Sequence, residues 1–511
     1  MDFLHNFAVR ARVSGSPWRG RAASARWYLV PFALAFLVFL PWANSYFVAD
    51  DWPVLKRLSS TPLSVEVKAF VTVQSGSWYR PLYELLLMLC WKAFGLNPTG
   101  YHLMSLLLFA VVSVLLGSLA ESVTGDRRAR VLSAVLFVVL SCHAESVLWI
   151  SSFNELLAGV FFVSGVVAYV FFRQRRSRAF LAAAVAAYLL ALTSKETATF
   201  LPLALLAYDL LFSRGEDKRL GWRWVGPLVP FFLVGALFLR IRFLAGSPYD
   251  EEFHSITVYR LIRYPAQYAF MEVIAAPVSF HFTPRRPLFL ASTMALTMCA
   301  LAVCAWFALL SMARKRNLKP LRPLGFGLVA AASGLIPVAL LVTERTAFIS
   351  SLGTALVIST LFLAAVEGAS LTTRFGRRAV VTGIAVYMAT NLVVLQDRAR
   401  MWGVAGSITK GVLSQLSART RDLPEGAGVL ILGLPDSYQG TLVFRNAIPS
   451  ATQLLGFPRP VHAVLDLGSQ DLSKQDQEID GYLNHPGNGP AVRIYHYANG
   501  VLLPLLAPPM H

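Results

Sequence analysis

YHLMSLLLFAVVSVLLGSLAESVTGDRRARVLSAVLFVVLSCHAESVLWI, residues 101–150, holds two apolar runs, 101–120 and 131–150, around a short basic segment. Each run approaches the roughly 20 residues that a helix needs to cross about 30 Å of hydrocarbon. Arg127, Arg128 and Arg130 between them are what a cytoplasmic loop carries under the positive-inside rule. The stretch therefore reads as one span entering, a cytoplasmic turn and a second span returning. Working outward, further apolar runs fall at 27–47, 153–172, 179–193, 197–212, 225–244, 288–312, 324–342, 347–366 and 379–395. Basic clusters mark every second gap: the N-terminal arm, Arg173 to Arg178, Arg214 to Arg223, Arg314 to Arg322 and Arg374 to Arg378. The pattern predicts an α-helical polytopic membrane protein of about eleven transmembrane helices, N-terminus cytoplasmic and C-terminus outside.

Composition agrees with that class. Of 511 residues, 56% are hydrophobic and 14% charged, and the mean hydropathy is +0.55, far more apolar than a soluble chain of this length. The net charge of +18 sits in clusters between apolar runs rather than along one face, which argues for membrane orientation and against nucleic acid as a partner. Cys90, Cys142, Cys299 and Cys304 lie in or beside apolar stretches without metal-ligand spacing, so neither a disulfide framework nor a thiolate metal site is expected. The run after Arg26 lacks a small-residue cleavage site and reads as a retained first helix. No Walker A or Rossmann fingerprint and no solenoid repeat is visible.

The charge assignment holds only if residues 81–94 do not cross, which puts them in a first outer loop, 48–100, as a juxtamembrane or re-entrant helix. Residues 256–282, where Pro265 and Pro277 break the pattern, belong likewise to an outer loop, 245–287. The organisation is then a basic arm, 1–26, a membrane domain, 27–395, and a soluble outer module, 396–511. Within the module GVLILGLP, TLVFRNAI, HAVLDLG and VRIYHYANGVLLPLL read as strands, the last a hairpin turning at Asn499-Gly500, in a small α/β or mostly β cap.

Four polar constellations fall on the outer side. In SYFVADDWP, Asp50 and Asp51 follow the first span, and one of them could act as a general base; the alternative is an acidic helix end in solvent. SCHAESVLWISS carries His143 and Glu145, able to orient an acceptor or water, or simply a capped helix end. LTSKETATF carries Lys195 and Glu196 beside a short span, where an ammonium could meet a lipid-linked phosphate or snorkel to the interface. LVTERTAFISSLG carries Glu344 and Arg345, suited to phosphate recognition or to a packing ion pair. Arg80 in SWYRPLYE and Arg242 in LFLRIRF are supporting cations, each equally an interfacial anchor.

Taken in order, VADDWPVL, YRPLYELLLMLCWKAFGLNPTGYHLMSLLL, HAESVLWISSFNELLAG, LTSKETATFLP and TERTAFISSLG resemble the membrane half of GT-C glycosyltransferases. The likeness is to the transmembrane and TPR-containing protein O-mannosyltransferases and their bacterial relatives, and covers roughly residues 27–395. It implies a polyprenyl-phosphate-linked sugar as donor, an active site on the lumenal or periplasmic side, and an acidic pair in the first outer loop that activates the acceptor. Asp50 and Asp51 occupy that place. The family's ERYLYLPS-like segment is ERTAFISS here, so Glu344 and Arg345 carry over and the aromatic and proline positions after them do not. Residues 396–511 have no TPR periodicity, which leaves the acceptor open among a protein, a lipid and a glycan.

On that resemblance Asp50 or Asp51 is expected to take the acceptor proton in an inverting transfer of a sugar, a mannose-like hexose being one candidate. Arg345, Lys195 and Arg80 are expected to meet the departing phosphate, and His143, Glu145, Glu196 and Glu344 to position sugar or acceptor. No cofactor is required, although the carboxylates leave a divalent metal open. A transporter or flippase of a lipid-linked sugar is the rival, disfavoured because the polar groups gather at one face and no inverted repeat is seen. A non-catalytic scaffold is a third reading. The composition and the small cap point to a bacterial inner membrane rather than the endoplasmic reticulum.

Overall fold

The structure, a computed structural model, describes residues 17–72, 78–212, 225–245, 258–275, 287–315, 318–338, 342–370, 374–421, 423, 427–445, 447–458, 461–466, 479 and 492–505. The segment between α1 (Pro17–Phe39) and α5 (Pro98–Thr124) holds three short helices: α2 (Asp51–Ser60), α3 (Leu63–Lys68) and α4 (Pro81–Phe94). After α5 come α6 (Arg127–Val139), α7 (Ala144–Leu148), α8 (Phe153–Arg175), α9 (Arg178–Ser194) and α10 (Leu201–Phe212). The second half comprises α11 (Val229–Ala245), α12 (Val258–Val273), α13 (Pro287–Lys315), α14 (Leu321–Leu335), α15 (Phe348–Ala369) and α16 (Arg374–Thr420).

Local chemistry sets several of these boundaries. Asn97 caps α5 by accepting the Thr99 N–H at 3.1 Å, with Pro98 opening the helix, and Gly125 closes it at φ +71°. Asp126 then caps α6 through the Arg128 N–H at 2.8 Å, so the Gly-Asp pair makes the tight turn in the basic segment. Helices α14 and α15 approach closely at glycines. A methyl on Gly353 would lie 2.2 Å from the Ala331 nitrogen, and one on Gly334 would lie 2.5 Å from the Ser350 nitrogen. Small residues of this kind let helix backbones pack in lipid, where van der Waals contact rather than water expulsion drives association.

Among the described residues six helices are long and apolar enough to cross a membrane: Pro98–Thr124, Ile150–Arg175, Gly226–Leu244, Pro287–Arg314, Arg345–Ala369 and Arg374–Thr420. A seventh is the pair Arg127–Val139 and Ser141–Leu148, bent by 58°. The other runs expected as spans are shorter apolar helices, Trp27–Trp42, Arg178–Ser194, Leu321–Leu335 and Leu201–Phe212. The eleven apolar runs are thus all helical but unequal, because hydropathy averages across breaks that the backbone makes. Run 131–150 is not one helix: α6 stops at Val139, and 3-10 turns at Ser141–His143 and Ile150–Ser152 flank α7. Further 3-10 turns occupy Glu196–Ala198 and Arg345–Ala347. By connectivity these breaks share one end of the bundle with the first-loop helices, and the basic turns at Arg127 and Arg176 occupy the other.

Helix α4 has 14 residues, about 21 Å at 1.5 Å per residue, too short to span. Pro265 does not break the chain as expected but lies inside α12, whose buried Tyr264, Tyr268, Met271 and Glu272 recur at helical spacing; Pro277 lies outside the described residues. The expected boundary at 395 falls inside a helix. Helix α16 runs 47 residues without interruption, about 70 Å, through that position. Gln396 lies against the end of α1, accepting from Trp42 Nε1 at 3.0 Å and donating to the Val38 carbonyl at 2.8 Å. Composition changes there within the helix, not at its end.

The C-terminal module has a four-stranded sheet, order β4-β1-β5-β6, built from β1 (Gly428–Pro435), β4 (Val461–Asp466), β5 (Val492–Ala498) and β6 (Val501–Leu505). β1 pairs in parallel with β4 and β5, which its continuous apolar run anticipates, and β5 turns into β6 at Asn499 (φ +49°) and Gly500 (φ +87°). The expected strand at 441–448 is corrected. Only Thr441–Leu442 is a strand (β3), pairing with β2 (Ser437–Tyr438), and α17 (Ala447–Leu454) follows and packs on α2.

Candidate active site

The adjacent aspartates separate. Asp51 is 2% exposed and its carboxylate accepts three hydrogens: Val48 N–H at 3.1 Å, Ser151 N–H at 2.9 Å and the Ser151 hydroxyl at 2.6 Å. Asp50, the residue just before α2, is half-buried, and among the described residues its carboxylate has no hydrogen bond or ion pair. Ala49 before it adopts φ +44°, a left-handed conformation costly for a residue with a Cβ, and its N–H bonds the Val443 carbonyl at 2.8 Å. One carboxylate therefore anchors the loop while its neighbour stays available.

Burial pushes the Asp51 carboxyl up to about 7 against the opposing pull of its three donors. A carboxyl raised on folding contributes most below its unfolded value of about 4 and loses that contribution as pH rises through the folded value. Asp51→Asn turns one amide N–H toward a backbone N–H, so unfolding in detergent is expected to show a loss of about 1–3 kcal/mol. Compared with wild type, that loss is expected to narrow between about pH 4 and pH 7.

The cations pair across the breaks rather than with their sequence neighbours. Lys195 Nζ meets Glu155 Oε1 at 2.5 Å and Asn154 at 3.4 Å, not Glu196. Glu196 takes Arg80 in a two-pronged bond, Nε at 2.9 Å and Nη2 at 2.5 Å. Arg80 also stacks on Trp78, 4.4 Å from the ring centre, with Arg242 at the same distance from that ring. Glu145 pairs with Arg345, Nη1 at 3.5 Å, and accepts the Arg345 N–H at 3.2 Å. Glu344 pairs with Arg398 Nε at 2.6 Å. The charges of Arg80, Glu196 and Arg345 all act on Lys195, so these constellations form one cluster.

Exposure orders the cations. The side chain of Arg345 is 22% exposed, Arg80 13%, Lys195 5% and Arg398 3%. Arg345 has the longest ion pair of the four and stacks on Trp149, itself stacked on Trp402 at 6.0 Å, so it is the cation best placed to meet an incoming anion. His143 is not brought to this cluster. Its ring is fully buried among Phe137, Phe109 and Phe348, with centroids at 4.4, 5.2 and 5.6 Å, and Nε2 lies 2.9 Å from the Ser351 hydroxyl. Among the described residues no three His, Cys, Asp or Glu side chains come together as a metal-binding group, since most of the carboxylates face a cation.

Sequence reasoning missed Glu155, Arg398, Ser151 and Glu272. Glu155 had a signal: an Asn-Glu pair opening an apolar run is an intramembrane charge that needs a partner. Glu272 on α12 bonds the hydroxyls of Ser350 and Thr354, docking α12 onto α15. Arg398 lay hidden behind the assumed boundary.

No family model matches the chain. Over 109 residues, 21% of the chain, it is 34% identical to mouse protein O-mannosyl-transferase TMTC3, of which the match covers 11%. Over 152 residues it is 30% identical to human protein O-mannosyl-transferase TMTC2, covering 28% of this chain and 18% of that one. Drosophila melanogaster Tmtc1, also a protein O-mannosyl-transferase, is 28% identical over 196 residues, 36% and 23% of the two chains. The chain thus matches between 11% and 23% of the length of these curated relatives. Among solved structures, the Archaeoglobus fulgidus oligosaccharyltransferase aligns at a TM-score of 0.47 and 13% identity, over 79% of this chain and 60% of that one. ArnT from Cupriavidus metallidurans, bound to undecaprenyl phosphate, aligns at 0.43 and 14% identity, over 92% and 93%.

Proposed function

We propose that this chain is a membrane glycosyltransferase of the GT-C type that moves a sugar from a polyprenyl-phosphate donor to a hydroxyl-bearing acceptor outside the cytoplasm. The observation that carries the reading is the meeting of Glu145 with Arg345 and Lys195 with Glu155 at the breaks, at the same end of the bundle as the Asp51–Ser151 contact that anchors the loop of Asp50, whose carboxylate has no partner among the described residues. In a bacterial inner membrane the positive-inside rule would then put the N-terminal arm in the cytoplasm and the cluster and C-terminal module in the periplasm. The partial likeness to protein O-mannosyl-transferases supports a hexose donor such as a mannose.

Asp50 takes the acceptor hydroxyl proton as that oxygen attacks the anomeric carbon, and the bond from that carbon to the phosphate oxygen breaks with inversion. The leaving phosphate gains negative charge, which Arg345 meets with a planar, two-pronged guanidinium in a partly desolvated site. Lys195 and Arg80, each bound to a carboxylate, set the field behind it. Asp51 holds the loop and Glu145 aims Arg345.

The test is transfer from a radiolabelled polyprenyl-phosphate sugar, mannose first, by membranes matched for expression. Wild type is expected to transfer label, and Arg345→Ala to lose about 10²-fold or more. If no donor is consumed while lipid-linked sugar still crosses the membrane in both, the chain is a transporter.

A further inference from the structure

We infer that Arg398 is a positioning residue for this transfer, and that the β2–β3 hairpin of the C-terminal module belongs to the transfer machinery. The inference rests on the glycosyltransferase reading. Arg398 lies on α16, 2% exposed, where its guanidinium works in two directions. Nε donates to Glu344 Oε1 at 2.6 Å, and Nη1 donates to the Gln439 carbonyl at 2.9 Å. Glu344 immediately precedes Arg345. The charge of Glu145 opposes that of Glu344, and Arg398 is the cation that offsets it, so Arg398 joins the Glu145 contact to the Arg345 N–H in fixing this segment.

Gln439 and Gly440 form the turn of the hairpin, at φ +49° and +76°, between the paired Tyr438 and Thr441. One residue past β3, Val443 donates its N–H to the Asp436 carbonyl at 2.9 Å and accepts the Ala49 N–H at 2.8 Å. A single nine-residue loop, 436–444, thus reaches both arms of the site. Through Arg398 it fixes the Glu344-Arg345 segment, and through Val443 it fixes the strained residue ahead of Asp50. The distance between the base and the cation opposite the leaving group is consequently set from the module, not only from the bundle. A lysine keeps the charge but not the fixed fork that serves two acceptors in different directions.

A base and a cation misplaced by about 1 Å can cost 10²-fold in rate, while a long isoprenoid chain is held mainly by the bundle. For purified protein, Arg398→Met is expected to lower kcat by about 10- to 100-fold with the donor KM changed less than about threefold. Arg398→Lys is expected to fall between it and wild type. Rates are taken per folded molecule, counted by thermal unfolding in the same detergent, so a purely structural role would lower the folded amount and leave kcat intact. Wild-type kcat in Arg398→Lys overturns the inference even if the methionine variant does not fold. So does a loss that lies wholly in donor KM. If the wild type transfers no sugar from any donor, the glycosyltransferase reading falls and takes this inference with it; an active wild type with an unaffected Arg398 variant sinks the inference alone.

Discussion

Asp50→Asn is expected to lower sugar transfer by about 10²- to 10⁴-fold without moving the unfolding midpoint. The effect on rate follows from removing a general base at the point of proton transfer. The absence of an effect on stability follows from the half-buried carboxylate having no partner among the described residues to lose. Asp51→Asn gives the converse pattern, because its carboxylate is bound at Val48 and Ser151. Measured side by side, initial rates and unfolding curves separate the two roles. An Asp50 variant that keeps wild-type turnover, or an Asp51 variant that alone loses it while fully stable, would reverse the assignment.

Glu155→Gln is expected to destabilise the chain by about 3–5 kcal/mol, the largest effect on stability foreseen for a single conservative change at this site. Glu155 is fully buried and carries the 2.5 Å contact to Lys195, which is itself 5% exposed at its side chain. Neutralising it leaves an ammonium without compensation in a region with little water. The double variant Glu155→Leu with Lys195→Met removes both charges and is expected to recover most of that loss, since apolar replacements of buried pairs are often neutral. Its transfer activity then reports on Lys195. A stable double variant that has lost transfer assigns the ammonium to the donor phosphate, and one that retains transfer assigns the pair to helix packing. Recovery of stability is the outcome that the pairing requires; a double variant as unstable as Glu155→Gln would show that Lys195 was not the cause.

The paired charges also change how the polar motifs are understood. Lys195-Glu196 and Glu344-Arg345 each look like a neutral dipeptide along the chain, yet every one of the four side chains binds elsewhere. Consecutive residues at a 3-10 break point in different directions, so each side chain reaches a different neighbour. His143 shows the opposite case. A histidine in a polar-looking segment, SCHAES, lies in an aromatic enclosure because the break turns it inward against α5, α6 and α15.

What the amino-acid sequence determined by itself was the helical membrane class, the placement of basic clusters in alternate gaps, the short helix at 81–94 and the hairpin at Asn499-Gly500. These depend on hydropathy, charge and turn chemistry within a window of a few to about 20 residues. It also singled out Asp50, Asp51, Arg80, Glu145, Lys195, Glu196, Glu344 and Arg345, since a charge beside an apolar run stands out wherever it occurs. Only the tertiary structure decided which of them meet. The contacts of Lys195 with Glu155, Glu344 with Arg398, Asp51 with Ser151, and Glu145 with the Arg345 N–H span 40, 54, 100 and 200 residues. The crossing of several helices and the exact residue at which each one breaks set them. A one-residue shift in a break turns a side chain by about 100° at 3.6 residues per turn, so no local pattern carries that information.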